Sequence, residues 1–267
     1  MNELIQKRKV LKAKFQNREK IFGAWTSFGQ PQISEVLAKS GVDFIGIDIE
    51  HSTISQEQSQ RIIAASHSEG ILCLPRIATQ NEEMTKRLLD SGADGIIVPM
   101  VSFAKEVEQV ISWMNYPPKG KRSFGVARAQ GYGVDFDQYV QSWNDSAILI
   151  VQTETQQGVE QIERILSFKE VDGVMIGPYD LSGSLGIPGQ LEHSSVKEHC
   201  AIVSQACQQH QTSFGTHLVE PDLESMENAL QEGYSFLVLA SDVFVLWKWS
   251  QSIKSAIQTI NKAPQQV

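Results

Sequence analysis

Cysteine is scarce. Cys73, Cys200 and Cys207 are odd in number and contain no C-x-x-C pair, which excludes a framework of paired cysteines. Cys200 and Cys207, seven apart, read as facing a helix core. Positive charge is also short: 23 Lys and Arg stand against 31 Asp and Glu, and the formal charge of -8 argues against a nucleic-acid footprint. No apolar run is long enough to span a membrane, and Met1–Lys20 lacks the apolar stretch of a signal peptide, so a cytoplasmic protein with no membrane contact is expected. No G-x-G-x-x-G follows a strand-like run, which weakens a dinucleotide-binding sheet.

What is present is alternation. Lys39-Ser40-Gly41-Val42-Asp43 precedes Phe44–Asp48, Asp90-Ser91-Gly92-Ala93-Asp94 precedes Gly95–Pro99, and Gln231-Glu232-Gly233-Tyr234-Ser235 precedes Phe236–Ala240. Each reads as a helix closed by a left-handed glycine and followed by an apolar strand. Strands are expected at Ile21–Phe28, Asp43–Asp48, Ile71–Pro75, Gly95–Val98, Ser146–Gln152, Gly173–Ile176, Thr212–Thr216 and Phe236–Ala240, with apolar residues three or four apart marking the helices between. Eight near-continuous apolar strands alternating with helices make an α/β fold, a (β/α)8 TIM barrel. The length of 267 residues, 41% of them apolar and 20% charged, suits one barrel domain over 1–267. An open doubly wound sheet is the alternative.

Four segments fall outside that repeat. The N-terminal extension, 1–20, carries Lys7, Arg8, Lys9, Lys12, Lys14, Arg18 and Lys20 around a stripe of Leu4, Leu11 and Phe15. A helix packed on the domain is expected, with contact to an anionic surface as the alternative. The long, glycine-punctuated connection Asn115–Asn144 between strands four and five is expected to be an active-site lid, or else a surface excursion. Gly183–Ser194 should shape the same mouth. The last segment, 241–260, opens on the capping pair Ser241-Asp242 and carries Val243, Phe244, Leu246, Trp247, Trp249, Ile253 and Ile257, more than a barrel surface needs, so a helix at a subunit interface is expected.

In a barrel the chemistry sits just past the C-terminal ends of the strands, and these positions are polar here. Strand two ends Asp48-Ile49-Glu50-His51, strand three Arg76, strand five Gln152-Thr153-Glu154, and strand seven His217. Past strand six, Gly177-Pro178 stop the run and Tyr179-Asp180-Leu181-Ser182 offers a helical turn. Glu154 and Asp180 come from neighbouring strands, and two hard oxygen ligands with open positions suit Mg²⁺ or Mn²⁺. Their competing roles are a salt bridge and a helix cap. Asp48 and His51, three apart, fit a carboxylate orienting an imidazole base, and the Arg76 fork suits a carboxylate or a developing enolate oxygen. The competing roles are a cap or ligand for His51 and a structural ion pair for Arg76. No lysine stands in these strands or at their ends, so a Schiff base lacks its nucleophile, and no glycine-rich turn after strands seven and eight cradles a phosphate.

Gly23-Ala24-Trp25, Ile47-Asp48-Ile49-Glu50-His51, Pro75-Arg76, Leu88-Leu89-Asp90-Ser91-Gly92, Val98-Pro99-Met100-Val101, Tyr116-Pro117-Pro118-Lys119-Gly120-Lys121-Arg122, Val151-Gln152-Thr153-Glu154 and Gly173–Ser182 occur in an order and spacing that resembles the HpcH/HpaI aldolases from Gly23 to about Trp247. These are metal-dependent pyruvate aldolases on a (β/α)8 barrel. The resemblance implies that Glu154 and Asp180 hold a divalent cation, Mg²⁺ or Mn²⁺ with Co²⁺ admissible, which pyruvate chelates through its carboxylate and keto oxygens. It implies that His51, oriented by Asp48, is the base and that Arg76 steadies the enolate. Gln152 and the Gly177-Pro178-Tyr179 turn would then lie against the keto acid. The implied reaction is reversible cleavage of a 4-hydroxy-2-keto acid to pyruvate and an aldehyde, in a homo-oligomer, hexamer or trimer, built through the C-terminal helix. A malyl or citramalyl thioester lyase of related barrel type, or a barrel kept only for assembly, are the alternatives. Two positions depart from the family's pattern: Ile49 replaces a usual glycine, and Tyr179 stands where a small residue is common.

Overall fold

The computed structural model describes residues 2–262. Eight strands, β1 (Ile21–Thr26), β2 (Phe44–Asp48), β3 (Leu72–Arg76), β4 (Gly95–Val98), β5 (Ile148–Thr153), β6 (Gly173–Ile176), β7 (Ser213–Leu218) and β8 (Phe236–Ser241), pair in sequence order, all parallel, and β8 returns to β1 to close the barrel. All eight expected strands are present, with ends shifted by one or two residues. The helices are α1 (Asn2–Gln16), α2 (Pro31–Ala38), α3 (Gln56–Ser68), α4 (Glu82–Asp90), α5 (Ala104–Met114), α6 (Phe136–Trp143), α7 (Gln156–Glu160), α8 (Ile162–Ile165), α9 (Pro178–Ser184), α10 (Ser194–Gln209), α11 (Leu223–Gln231) and α12 (Asp242–Lys262). Gly41, Gly92 and Gly233 have φ of 84°, 104° and 98° where helices give way to strands.

Strand residues alternate between two cores, because successive side chains leave a strand on opposite faces. Ile45, Ile47, Ile96, Val98, Leu149, Val151 and Val174 pack outward under the helices. Trp25, Phe44, Leu72, Leu74, Ile97, Ile148, Ile150, Met175, Phe236 and Val238 fill the barrel itself. Leu11 and Phe15 of α1 join this inner cluster, with Phe15 edge-on to Phe236 at 5.4 Å between ring centroids, so α1 plugs the N-terminal end of the barrel. Burying each such side chain contributes about 2 kcal/mol.

The basic residues of α1 have specific acidic partners. Asp43, Asp94 and Asp172 stand just before β2, β4 and β6, and each accepts a main-chain N–H from the preceding strand: from Phe22, Cys73 and Leu149, each at 2.9 Å. The other oxygens face α1, where Lys14 meets Asp43 at 2.7 Å, Arg8 Nε meets Asp94 at 3.4 Å, and Lys12 meets Asp172 at 2.7 Å. Burial pushes the Asp172 carboxyl up and Lys12 pulls it down. The extension is thus a helix packed on the domain, the first of the two roles its sequence allowed.

The Asn115–Asn144 segment is not where an active-site lid would have to be. The connection out of β4 is only residues 99–103, and the long segment follows α5, so it belongs to the N-terminal face, opposite the strand ends. It is anchored there: Arg122 Nη2 donates to Asp90 at 2.7 Å, Tyr116 N to Asn144 at 2.8 Å, and Arg128 Nη1 to the Ser91 carbonyl at 3.2 Å.

Candidate active site

At the C-terminal end of the strands a cavity of 510 Å³ opens, and every nominated residue lines it: Asp48, His51, Arg76, Gln152, Glu154, Gly177, Pro178, Tyr179 and Asp180. Strand register makes the first pairing. Asp48 lies directly across from Arg76 in the β2–β3 ladder, and Arg76 Nη2 reaches Asp48 Oδ1 at 2.8 Å. Arg76 Nε lies 3.2 Å from Glu50 Oε2, Nη1 donates to Gln152 Oε1 at 3.4 Å, and the Trp25 ring lies 5.1 Å from Arg76 Cζ. Acids, an amide and an aromatic face therefore hold the guanidinium plane in one orientation.

Glu154 is buried, at 3% exposure. Its Oε1 accepts the Met100 N–H at 2.8 Å and its Oε2 accepts from Gln152 Nε2 at 3.1 Å. Burial pushes its carboxyl up to about 7; the Met100 N–H opposes that, while Asp180 and Glu50 add to it. Gly177 makes the arrangement possible, since a β-carbon there would stand 2.5 Å from Glu154 Oε2. Asp180 is exposed in the first turn of α9, whose N-cap is Gly177 with no side-chain cap bond, so the carboxylate is not used as the cap its position allowed.

Do these residues fit a divalent cation? Among the described residues no cluster of three or more His, Cys, Asp or Glu is placed to hold a metal ion. A pair of carboxylates at an open cavity is what a hard cation uses when water and substrate oxygens complete its shell. Burial is the main cause of the rise at Glu154, and the neighbouring Asp180 and Glu50 carboxylates add to it, a charge excess that a cation would offset. The residues fit.

His51 departs from its expected geometry. Its main-chain N–H donates to Asp48 Oδ1 at 3.1 Å, but its ring stays 66% exposed at the rim, with Nε2 3.7 Å from Glu50 Oε2. Asp48 is committed to Arg76, so the acid nearest the imidazole is Glu50, whose carboxyl burial pushes up against the pull of Arg76 and His51.

Comparison with known proteins shows the family. The HpcH/HpaI aldolase/citrate lyase family matches residues 22–248. The chain belongs to that family. It is an enzyme of the carbon–carbon lyase class. A hydroxypyruvate/pyruvate aldolase of Roseobacter denitrificans is 31% identical over 237 residues, covering 88% of this chain and 91% of the relative. A 2-keto-3-deoxy-L-rhamnonate aldolase of Escherichia coli is 31% identical over 249 residues, covering 92% and 91%. The crystal structure of a family protein from Burkholderia cenocepacia superposes with a TM-score of 0.87 at 26% identity, covering 94% of this chain and 99% of the other.

The two departures from the family pattern now have places. Ile49 packs half-buried against the outer core, and Tyr179 stands 66% exposed on the rim beside Gly189. Leu191 joins the lining, so the Gly183–Ser194 connection does shape the mouth. Four residues given no part in the site from the sequence also matter. Glu50 and Trp25 hold Arg76. Asp242, expected as a helix cap, instead gathers the end of β1, accepting from Ser27 N, Phe28 N and Thr26 Oγ1 at 2.9, 3.0 and 2.9 Å. His217 faces Trp25 edge-on at 6.3 Å. The signal for all four was position at a strand end; their contacts needed the barrel's closure.

Proposed function

We propose that the chain is a class II aldolase that reversibly cleaves a 4-hydroxy-2-keto acid to pyruvate and an aldehyde. The observation that carries this reading is the convergence in one cavity of the Glu154 and Asp180 carboxylates with an Arg76 fork fixed by Asp48, Glu50 and Gln152. A divalent cation, Mg²⁺ or Mn²⁺ with Co²⁺ admissible, bound by Glu154 and Asp180 supplies Lewis-acid stabilisation of negative charge on the keto oxygen.

The chain's own groups do the rest. Arg76 presents a fixed charge to the keto acid where the enolate oxygen develops, in a site partly closed to water by Trp25 and Met175. Gln152 donates to Glu154 and accepts from Arg76, so a single amide ties the carboxylate to the guanidinium. The Gly177-Pro178-Tyr179 turn forms the wall beside Glu154. His51 Nε2, accessible at the rim, takes the proton of the C4 hydroxyl as the C3–C4 bond breaks, and the electron pair passes to the keto oxygen side. The proton then returns from His51 to C3, giving pyruvate, and in the addition direction the same imidazole removes the methyl proton.

We further place the protein in the cytoplasm as a homo-oligomer, a hexamer or trimer. α12 projects Trp247, Trp249, Ile257 and Ile260 at 50%, 64%, 52% and 72% exposure, apolar surface spread round the helix that no other part of the chain covers among the described residues. No described helix is long and apolar enough to cross a membrane.

The deciding experiment is pyruvate release from a panel of 4-hydroxy-2-keto acids with and without chelator. Release that stops on chelation and returns with Mg²⁺ or Mn²⁺ supports the reading. Release that survives complete metal removal, or borohydride trapping of pyruvate on a lysine, sinks it.

A further inference from the structure

One wall of the cavity carries none of the polar groups assigned above to the keto acid. Ser27, Thr216, His217 and Ser241 line it, from the ends of β1, β7 and β8, with Trp25 and Phe244 beside them. His217 points toward the barrel axis. Gly215, two residues earlier, packs its face on the inward Phe236 ring, while Phe214 belongs to the outer core, and a strand repeats its face every second residue.

The ring is fixed in one tautomer. His217 Nε2 lies 3.1 Å from the Ala240 carbonyl oxygen, which can only accept, so Nε2 carries the proton and Nδ1 keeps a lone pair. Ala240 can present that carbonyl because it sits at φ 52°, where the β1–β8 register shifts. Trp25 and Phe244 flank the ring, with centroids at 6.3 and 6.1 Å. Burial, with the charge of Arg76, lowers the basicity of His217 and keeps it neutral near pH 7. Among the described residues, Arg76 is the only Lys or Arg of the lining, and Asp48 and Glu50 already occupy it. This wall therefore offers an acceptor and hydroxyls, but no charge for a carboxylate or phosphate.

We propose that His217 reads the aldehyde: Nδ1 accepts a hydrogen bond from a hydroxyl on the aldehyde's carbon chain, and the enzyme takes short neutral hydroxyaldehydes ahead of hydrocarbon aldehydes or aldehydes ending in carboxylate. The inference rests on the aldolase reading and adds the class of the second substrate.

The test compares kcat/KM for addition of pyruvate to glycolaldehyde, to its near-isostere propanal, and to succinic semialdehyde, in the Mn²⁺-loaded wild type, His217→Phe and His217→Gln. Exchange of pyruvate methyl protons with D₂O in the wild type, which needs no aldehyde, is followed in parallel. One hydrogen bond to the substrate predicts a wild-type preference for glycolaldehyde over propanal of about tenfold. His217→Phe should bring that ratio close to one, and His217→Gln, whose Oε1 accepts, should restore part of it. An unchanged ratio in a folded His217→Phe overturns the proposal. So does a wild type that favours propanal or succinic semialdehyde, whatever the variants do. A wild type that neither exchanges methyl protons nor adds any aldehyde instead overturns the underlying aldolase reading.

Discussion

Metal-free protein should lose stability as pH rises from about 4.5 to 7.5, and Glu154→Gln should remove much of that loss. In the folded chain burial lifts the Glu154 carboxyl from its ordinary 4.5 to about 7. Because the folded value is the higher one, the folded state holds this proton more tightly than the unfolded state. The contribution is therefore complete below the unfolded value, fades through the interval, and is gone above the folded value. A rise of this size corresponds to about 3 kcal/mol, or roughly 6–12 °C in Tm for a chain of this length. Glutamine cannot ionise, yet its Oε1 can still accept from Met100 N. The assay is a set of chelator-treated melts from pH 4.5 to 8.5, read as the difference between wild type and variant so that other titrations cancel. At pH 8 the apo variant should melt above the apo wild type, and added Mn²⁺ should raise the wild type alone. Below pH 7 the wild type's metal affinity should fall about tenfold per pH unit, since the ligand must be ionised to bind. Parallel curves, or equal stabilisation of both proteins by Mn²⁺, would refute the reasoning.

Further substitutions probe the site and its frame. Gly177→Ala places a β-carbon 2.5 Å from Glu154 Oε2, and calorimetric titration should show Mn²⁺ binding weakened by about tenfold or more in a protein with the wild-type circular dichroism. His51→Ala should keep its metal but slow methyl-proton exchange by about a hundredfold, whereas Asp180→Asn should lose metal; equal metal loss in the two removes His51 from the proton-transfer step. Lys12→Met strands the fully buried Asp172 carboxylate without its cation, and urea denaturation should show about 3–5 kcal/mol lost, part of it recovered in Lys12→Met/Asp172→Asn.

The barrel was legible because its strands are buried on both faces, which turns residues 44–47 or 148–151 into unbroken apolar runs with a helix signal on each side. The site was legible for a related reason: once strands are placed, polar residues at their ends need another explanation. What sequence distance alone could not supply was the partner of each. Asp48 stands three residues from His51 and twenty-eight from Arg76, yet the β2–β3 register puts Arg76 beside it and leaves the imidazole to Glu50. The long segment after Asn115 was assigned to the wrong face because α5, a short helix directly after β4, uses up the strand-to-helix connection first. The partners of the α1 cations were not legible, since Asp43, Asp94 and Asp172 that receive them are spread over more than a hundred residues.

Charge balance makes the cation central to the reading. Asp48, Glu50, Glu154 and Asp180 surround one arginine. Asp48 already answers the Arg76 charge, so a carboxylate substrate entering the metal-free cavity would meet a net negative field and an arginine with little left to give. Protonating Glu154 relieves only part of this. A divalent ion held by Glu154 and Asp180 would offset their two negative charges and favour ionised Glu154, and Arg76 could then act on the substrate instead of on its neighbours' excess charge. Keto-acid affinity should therefore follow metal occupancy rather than Arg76 alone, and pyruvate binding by the chelated protein at pH 8 that matches the Mn²⁺-loaded protein would contradict this account.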